Sequence, residues 1–290
     1  MDIKQTITDS IIDMLKQGGL ENRPLWNQAL ATGLPRNGKT GMTYNGVNIL
    51  ILWHCAVKES YSSNVWLTFK QATDLGGHVR AGEKSVMCVY FEMVKAKDQR
   101  AEDEESFYPM CKPFWLFNVA QIDQLPPALY SVPRPNSLHP IDEAEQVLAN
   151  SNAAIHHGYD KACYVPAKDQ IFLPFREAFT CPETYYATAL HELTHWTGHQ
   201  GRLNRNFSHR FGSDGYAFEE LIAEIGSAFI CAHLGFVDAT LADHVSYLDS
   251  WIRVLKNDKN AIFTASKQAG LAADFILKNA KQNSCCELAA

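Results

Sequence analysis

Residues 188–200 read TALHELTHWTGHQ, and within them His191 and His195 flank Glu192 in a His-Glu-x-x-His spacing. On a helix, residues four apart project from one face, so the two imidazoles can meet a single ion with Glu192 beside them. Zinc in a hydrolytic site takes three protein ligands and keeps one position open, so a third donor must come from elsewhere in the chain. A centre of this kind polarises a scissile carbonyl and acidifies water, and Glu192 as general base takes the proton and passes it to the leaving amine.

The segment EELIAE, residues 219–224, supplies the third donor on a second helix. Glu220 and Glu224 stand one turn apart, which suits a first carboxylate on the metal and a second that fixes a ligand imidazole by hydrogen bonding. Glu220 is the preferred ligand, with Glu224 as its support and the next candidate, and Glu219 is expected to point away into solvent. The competing pattern His-Glu-x-x-His-x-x-Gly-x-x-His finds Gly198 in place but Gly201 where its last histidine belongs. His199 should be turned away where Gly198 ends the helix. A tetrahedral oxyanion needs a donor, for which Tyr216 and His209 of NFSHRFGSDGYAF are the candidates. The run IFLPF, residues 171–175, is a strand that could align an extended peptide by β-addition.

These residues must be held by elements that are legible around them. Thr180-Cys181-Pro182-Glu183 has the spacing of a capping box with an early proline, so a helix should run from there to about Gly198. A second helix should start near Ser213 or Asp214 and stop at Gly235. IDEAEQVLANS reads as a helix, CYVPAKDQIFLPF as two extended pieces about a turn, and the stretches from Asp243 and from Ala261 as two more amphipathic helices. Leu125 to Pro140 carries five prolines in sixteen residues and marks the domain boundary. Ahead of it, an amphipathic N-terminal helix precedes the β-rich runs NVWLTF and SVMCVYFEMV, and EDEE at 102–105 reads as a solvated hairpin tip. The predicted fold class is α+β: a mixed α/β domain over 1–125, a linker over 126–140, and a mainly helical domain over 141–290.

With 46% hydrophobic and 20% charged residues in 290, the chain can bury a substantial core. A net charge of −6 excludes a chain that is basic throughout, so any nucleic-acid surface must be local. From Arg23 to Lys84, seven basic residues face three acidic ones, a local +4 that leaves −10 for the remainder. Loops LPRNGKTG and GGHVRAGEK lie in this window with several aromatic residues. Cations that track phosphates and rings that stack on bases suit single-stranded DNA, and no helix-turn-helix or zinc finger points to duplex reading. The candidates are Arg36, Lys39, Lys70, Arg80 and Lys84 with Trp26, Tyr44 and Trp66, whereas Trp53 is assigned to the core. Eight cysteines without a Cys-x-x-Cys spacing read as reduced thiols, with Cys88, Cys163 and Cys231 buried and inert. No signal peptide or membrane span is legible, so a cytoplasmic protein is expected.

The segments PLWNQALATGLPRNGKTGMTYNGVNILILW, WLTFKQATDLGGHVRAGEKS, FNVAQID, HELTHWTGHQGRLNR, RFGSDGYAFEELIAEIGSAF and SYLDSWIRVLKNDKNAI resemble the ArdC/TraC-type antirestriction family over nearly the whole chain. The resemblance implies an N-terminal domain that binds single-stranded DNA and a C-terminal zincin-like metallopeptidase domain. It further implies an origin on conjugative plasmids and protection of incoming DNA from restriction. Carried onto this chain, it makes His191, His195 and a glutamate of EELIAE the metal residues and Glu192 the general base. Zinc is the expected cofactor, with manganese or another divalent ion as alternatives, and a restriction-enzyme subunit is an example of a protein substrate. The alternative reading is a non-catalytic protein that shields single strands and uses its metal structurally.

Overall fold

The run Val47–Lys58, VNILILWHCAVK, is apolar around nearly its whole circumference, and such a helix is stable only when covered on all sides. The fold is a computed structural model that describes residues 2–20, 30–95, 107–130, 140–207, 212–236 and 245–287. In it this helix, α2, lies against α1 (Ile3–Leu20), a β-sheet and the last helix of the chain. Trp53 of α2 is fully buried, its ring edge-on to Phe229 at 5.8 Å and its indole N–H donating to the Gly33 carbonyl at 3.0 Å. The expected core role of Trp53 is therefore met. A single apolar core joins the two halves of the sequence through this helix.

The sheet has the order β1-β2-β5-β4, with β1 (Arg36–Asn37) parallel to β2 (Val65–Leu67) and the other pairs antiparallel. The long strands β4 (Val86–Lys95) and β5 (Phe107–Asn118) form a hairpin. β4 is an edge, a liability because its peptide groups are free to pair. Asn48 of α2 answers it locally: its side-chain amide accepts from Val89 N–H at 2.9 Å and donates to Val89 C=O at 2.8 Å. The short helix α3 (Phe69–Asp74) is capped by Thr68 and Gln71 and covers a small second core of Val65, Leu67, Ala72, Val119, Ile122 and Leu125. Strands β3 (His78–Val79) and β6 (Ile122–Asp123) pair beside it.

After α4 (Pro140–Asn150), strands β7 (Ala154–His157), β8 (Cys163–Val165) and β9 (Gln170–Leu173) form a sheet ordered β7-β9-β8. The expected hairpin of β8 and β9 is present, but β9 also pairs in parallel with β7. The strand of IFLPF is thus central, with both edges occupied, and cannot add a peptide; β7 and β8 carry the two edges. Four helices complete the fold: α5 (Pro182–Thr197), α6 (Asp214–Leu234), α7 (Val245–Asn257) and α8 (Ala261–Glu287). Helix α6 packs against the other three and is buried along most of its length.

The start of α5 differs from expectation. Cys181, not Thr180, is the N-cap, and it makes no side-chain cap bond, so the Thr180–Glu183 box does not form; Pro182 opens the helix as anticipated. Helix α6 follows the reading closely: Ser213 Oγ accepts from Tyr216 N–H at 3.3 Å, and Gly235 ends the helix with φ 83°. Trp26, the EDEE run, residues 131–139 of the expected linker, and His209 lie outside the described residues.

Candidate metal centre

Helices α5 and α6 approach closely because position 226 is glycine. A Cβ there would stand 2.7 Å from the Thr194 methyl carbon, nearer than van der Waals contact permits. Ser227 Oγ adds a hydrogen bond to the Ala187 carbonyl at 3.1 Å. This contact brings His191 and His195 of α5 against Glu220 of α6. His191 Nε2 and His195 Nε2 are 3.2 Å apart; Glu220 Oε2 lies 3.5 Å from the first and Oε1 3.6 Å from the second. Ligand atoms held about 2.1 Å from a tetrahedral ion lie roughly 3.4 Å from one another. The triad therefore fits a divalent cation both in chemistry and in spacing, and it is the one cluster of metal-ligating side chains found among the described residues.

Helix α6 carries three carboxylates in the interior, Glu219, Glu220 and Glu224, besides the exposed Asp214 at its start. Buried charges need compensation, because desolvation costs several kcal/mol per ion. Burial opposes ionisation of Glu220, but hydrogen bonds from His191 and His195 outweigh it and hold its carboxyl far below the ordinary range. Burial alone would lower the pKa of His195; its hydrogen bonds to Glu219 and Glu220 override that and push it up to about 10. Glu224 Oε2 lies 3.8 Å from His191 Nδ1, on the side of the ring away from the triad but beyond hydrogen-bond distance.

Glu219 corrects the reading most clearly. It is 8% exposed rather than solvated, and its Oε1 stands 3.1 Å from His195 Nδ1. The Arg205 guanidinium grips the same carboxylate, Nη2 to Oε1 at 2.8 Å and Nε to Oε2 at 3.0 Å. Neither partner was legible in the sequence: Arg205 lies in a loop fourteen residues upstream, where no helical spacing relates it to Glu219.

The triad lies at one side of a cleft of about 800 Å³. Glu192 lines it with Tyr216, Tyr247, Asn206, Phe207 and Cys163 of β8. Tyr216 is thus brought to the site as expected, its hydroxyl 3.4 Å from that of Tyr247, which the sequence did not single out. Burial, reinforced by the Tyr247 hydroxyl and the Glu220 charge, raises the Tyr216 pKa far above neutrality, so it stays a neutral phenol able to donate. Cys163 is exposed, not buried, but partial desolvation and the Glu192 charge raise its pKa and keep it a thiol. His199 faces a separate shallow hollow and its Nδ1 accepts from Gly201 N–H, so it is no ligand. Gly198 does follow the last turn of α5, but with φ −75°, not the left-handed value of a glycine stop. Its lack of a side chain serves packing: a Cβ would meet the Phe207 ring at 2.5 Å and the Arg205 guanidinium carbon at 2.9 Å.

Of the nucleic-acid candidates, Trp66 is fully buried, edge-on to Tyr61, and has no face to offer a base. The alternation of β2 turns its ring into the core, which corrects the assignment. Tyr44 is half-buried against Phe114, and Arg36 is half-buried in β1. Lys39 pairs with Asp74 at 2.7 Å, and Arg80 with Glu83 at 2.7 Å and Asp123 at 3.2 Å. Lys70 and Lys84 are exposed. Phe69 and Trp115, not among the candidates, are 62% and 52% exposed, and the Phe117 ring lies 6.4 Å from that of Phe69.

Comparison with known proteins follows the same division of the chain. A model of the N-terminal domain of the anti-restriction factor ArdC matches residues 1–117, and one of the zincin-like metallopeptidase domain matches 142–268. The crystal structure of metal-free antirestriction ArdC from plasmid R388 superposes with TM-score 0.83 at 37% identity, covering 97% of this chain and 99% of that one. The chain belongs to the ArdC antirestriction family. The Mn(II)-bound form of R388 ArdC matches at TM-score 0.80 with 37% identity, over 97% of this chain and 98% of that one. The y4eC protein of Sinorhizobium fredii (strain NBRC 101917 / NGR234) is 35% identical over 283 residues, 95% of this chain and 91% of that protein. A DNA primase TraC of Escherichia coli is 35% identical over 293 residues, 94% of this chain, but the chain spans only 27% of that protein's length. This ArdC-family chain therefore unites a mixed α/β N-terminal half with a helical zincin-like C-terminal half.

Proposed function

We propose that this chain is a plasmid-encoded antirestriction protein that holds single-stranded DNA on its N-terminal half and cleaves protein with its C-terminal half in the bacterial cytoplasm. The observation that carries the peptidase reading is the His191–His195–Glu220 triad opening on a cleft that Glu192 lines. A bound divalent ion, zinc or manganese, supplies Lewis acidity toward a scissile carbonyl and toward water. Glu192 accepts the proton of the attacking water and returns it to the leaving amine. The neutral Tyr216 hydroxyl donates to the developing oxyanion, and the outer edge of β8 holds the substrate backbone extended along the cleft. A restriction-enzyme subunit fits as substrate because antirestriction is the family's role.

The DNA reading rests on exposed rings beside cations. Phe117 and Trp115 are two apart on β5 and so share a face, and Phe69 extends the row next to Lys70. Bases can stack along this row while Lys70, Lys84, Arg36 and Lys39 track phosphates. The R388 relative's Mn(II)-bound form supports a divalent ion at the triad. No described helix is long and apolar enough to cross a membrane, and no membrane role is proposed. Domains are assigned to 1–125 and 141–290, with 126–140 as the connection.

The deciding experiment is an antirestriction assay of the wild type, Glu192→Gln and a charge reversal of Lys70 and Lys84, with cleavage of restriction subunits followed in parallel. Loss of both cleavage and protection in Glu192→Gln is the expected result. Full protection by Glu192→Gln instead assigns the activity to DNA shielding, with the metal in a structural role.

A further inference from the structure

The metal reading accounts for Glu220 and Glu224 but leaves a buried ion pair beside the site without a role. Arg205 and Glu219 are 5% and 10% exposed at their side chains. Replacing a buried pair by apolar residues is commonly neutral or stabilising, so stability alone does not explain this one. Its placement does. Ionised Glu219 can only accept hydrogen bonds, so its 3.1 Å contact with His195 Nδ1 requires the proton to sit on Nδ1. Nε2 is then the nitrogen left to bind an ion, and it is the atom that faces His191 and Glu220.

Arg205 holds Glu219 in that pose with its Nε and Nη2 edge, and it is fixed in turn by two groups of α5 and by the residue that caps it. Nη2 donates to the Thr194 carbonyl at 2.7 Å, Nη1 donates to Thr197 Oγ1 at 2.9 Å, and the Arg205 amide donates to the Gly198 carbonyl at 2.8 Å. The absent Cβ at Gly198 leaves the space that the guanidinium occupies.

We propose that Arg205 and Glu219 are positioning residues that preset His195 as a metal ligand by locking its Nδ1–H tautomer, so that each ligand histidine has a carboxylate of its own. The inference rests on the metal reading of the triad. Glu219→Gln tests it with almost no change of shape. An amide has one acceptor and one donor end, so it cannot accept both at Oε1, where His195 and Arg205 Nη2 meet the carboxylate, and at Oε2, where Arg205 Nε does. Either the arginine edge or the Nδ1 proton then faces another donor.

The test uses the full chain and two readouts: zinc and manganese affinity by chelator competition, and the imidazole 15N shifts of His195 in the zinc-loaded protein. Glu219→Gln is expected to weaken metal binding about 10- to 100-fold, the range for groups that orient a ligand, and to move the His195 Nδ1–H resonance of the zinc-loaded protein as its charged acceptor is lost. Arg205→Lys keeps the charge but loses the planar fork, so it should show the same changes in smaller measure. It also carries the test should Glu219→Gln fail to fold. Variants that bind metal within twofold of the wild type and keep its 15N signature overturn the inference alone. A wild type with no affinity for zinc or manganese overturns the metal reading and this inference with it.

Discussion

At the scale of residues, the site is a problem of charge. Glu220 is buried and ionised, with two imidazoles as its nearest partners, and a divalent ion offers stronger compensation than a proton on either ring. Metal should therefore contribute to stability directly. With free zinc or manganese at about 1,000 times its Kd, the folded state should gain about 4 kcal/mol. Thermal unfolding with the ion and with excess chelator measures this gain as a shift in Tm. Glu220→Ala should lose the shift, and an undiminished one would remove Glu220 from the ligand set.

Among elements, the α5–α6 contact decides whether the ligands meet. In an exposed helix, Gly→Ala gains about 1 kcal/mol from propensity. At Gly226 the added methyl stands 2.7 Å from Thr194 Cγ2, and Thr194 is stiff at χ1 with its hydroxyl bonded to Leu190 C=O at 2.8 Å. Overpacking costs about 1–3 kcal/mol, so Gly226→Ala should be net destabilising by about 1 kcal/mol and should weaken metal binding by parting the helices. Denaturant titration of Gly226→Ala, Thr194→Ser and the pair closes a double-mutant cycle. Thr194→Ser removes the clashing methyl and should rescue the alanine variant; independent, additive effects would show that the two positions do not press on each other. The motif and both helices were legible, because apolar periodicity, Pro182, Ser213 and Gly235 are local signals. The failed Thr180 box shows their limit: a cap pattern states a preference of four residues, and the chain entering α5 from the β-sheet selects Cys181 instead.

For the whole molecule, α2 lies against both the N-terminal sheet and the helical half that holds the His191–His195–Glu220 triad, so the two halves are packed together, not merely joined in sequence. If single strands lie along Phe69, Phe117 and Trp115, then Trp115→Ala and Phe69→Ala should each weaken single-stranded DNA binding by about 1–3 kcal/mol. Reversing Lys70 and Lys84 should flatten the dependence of affinity on salt. Fluorescence titrations of an oligonucleotide at two ionic strengths read both effects. Binding that is unchanged in Trp115→Ala and Phe69→Ala would move the DNA site off this face.

Legible in the sequence by itself were the His191–His195 pair with Glu192 beside it, Glu220 and Glu224 as the two candidates for a third ligand, the order of helices and a locally basic N-terminal half. Those follow from spacing along one helix and from composition, which a chain carries before it folds. Only the tertiary structure decided that Glu219 is buried and held by Arg205, that Trp66 faces inward while Phe69 and Trp115 face outward, and that β8 rather than β9 has the open edge. Each depends on what a distant segment places against the residue. Burial, pairing and edge position are properties of that neighbour as much as of the residue itself.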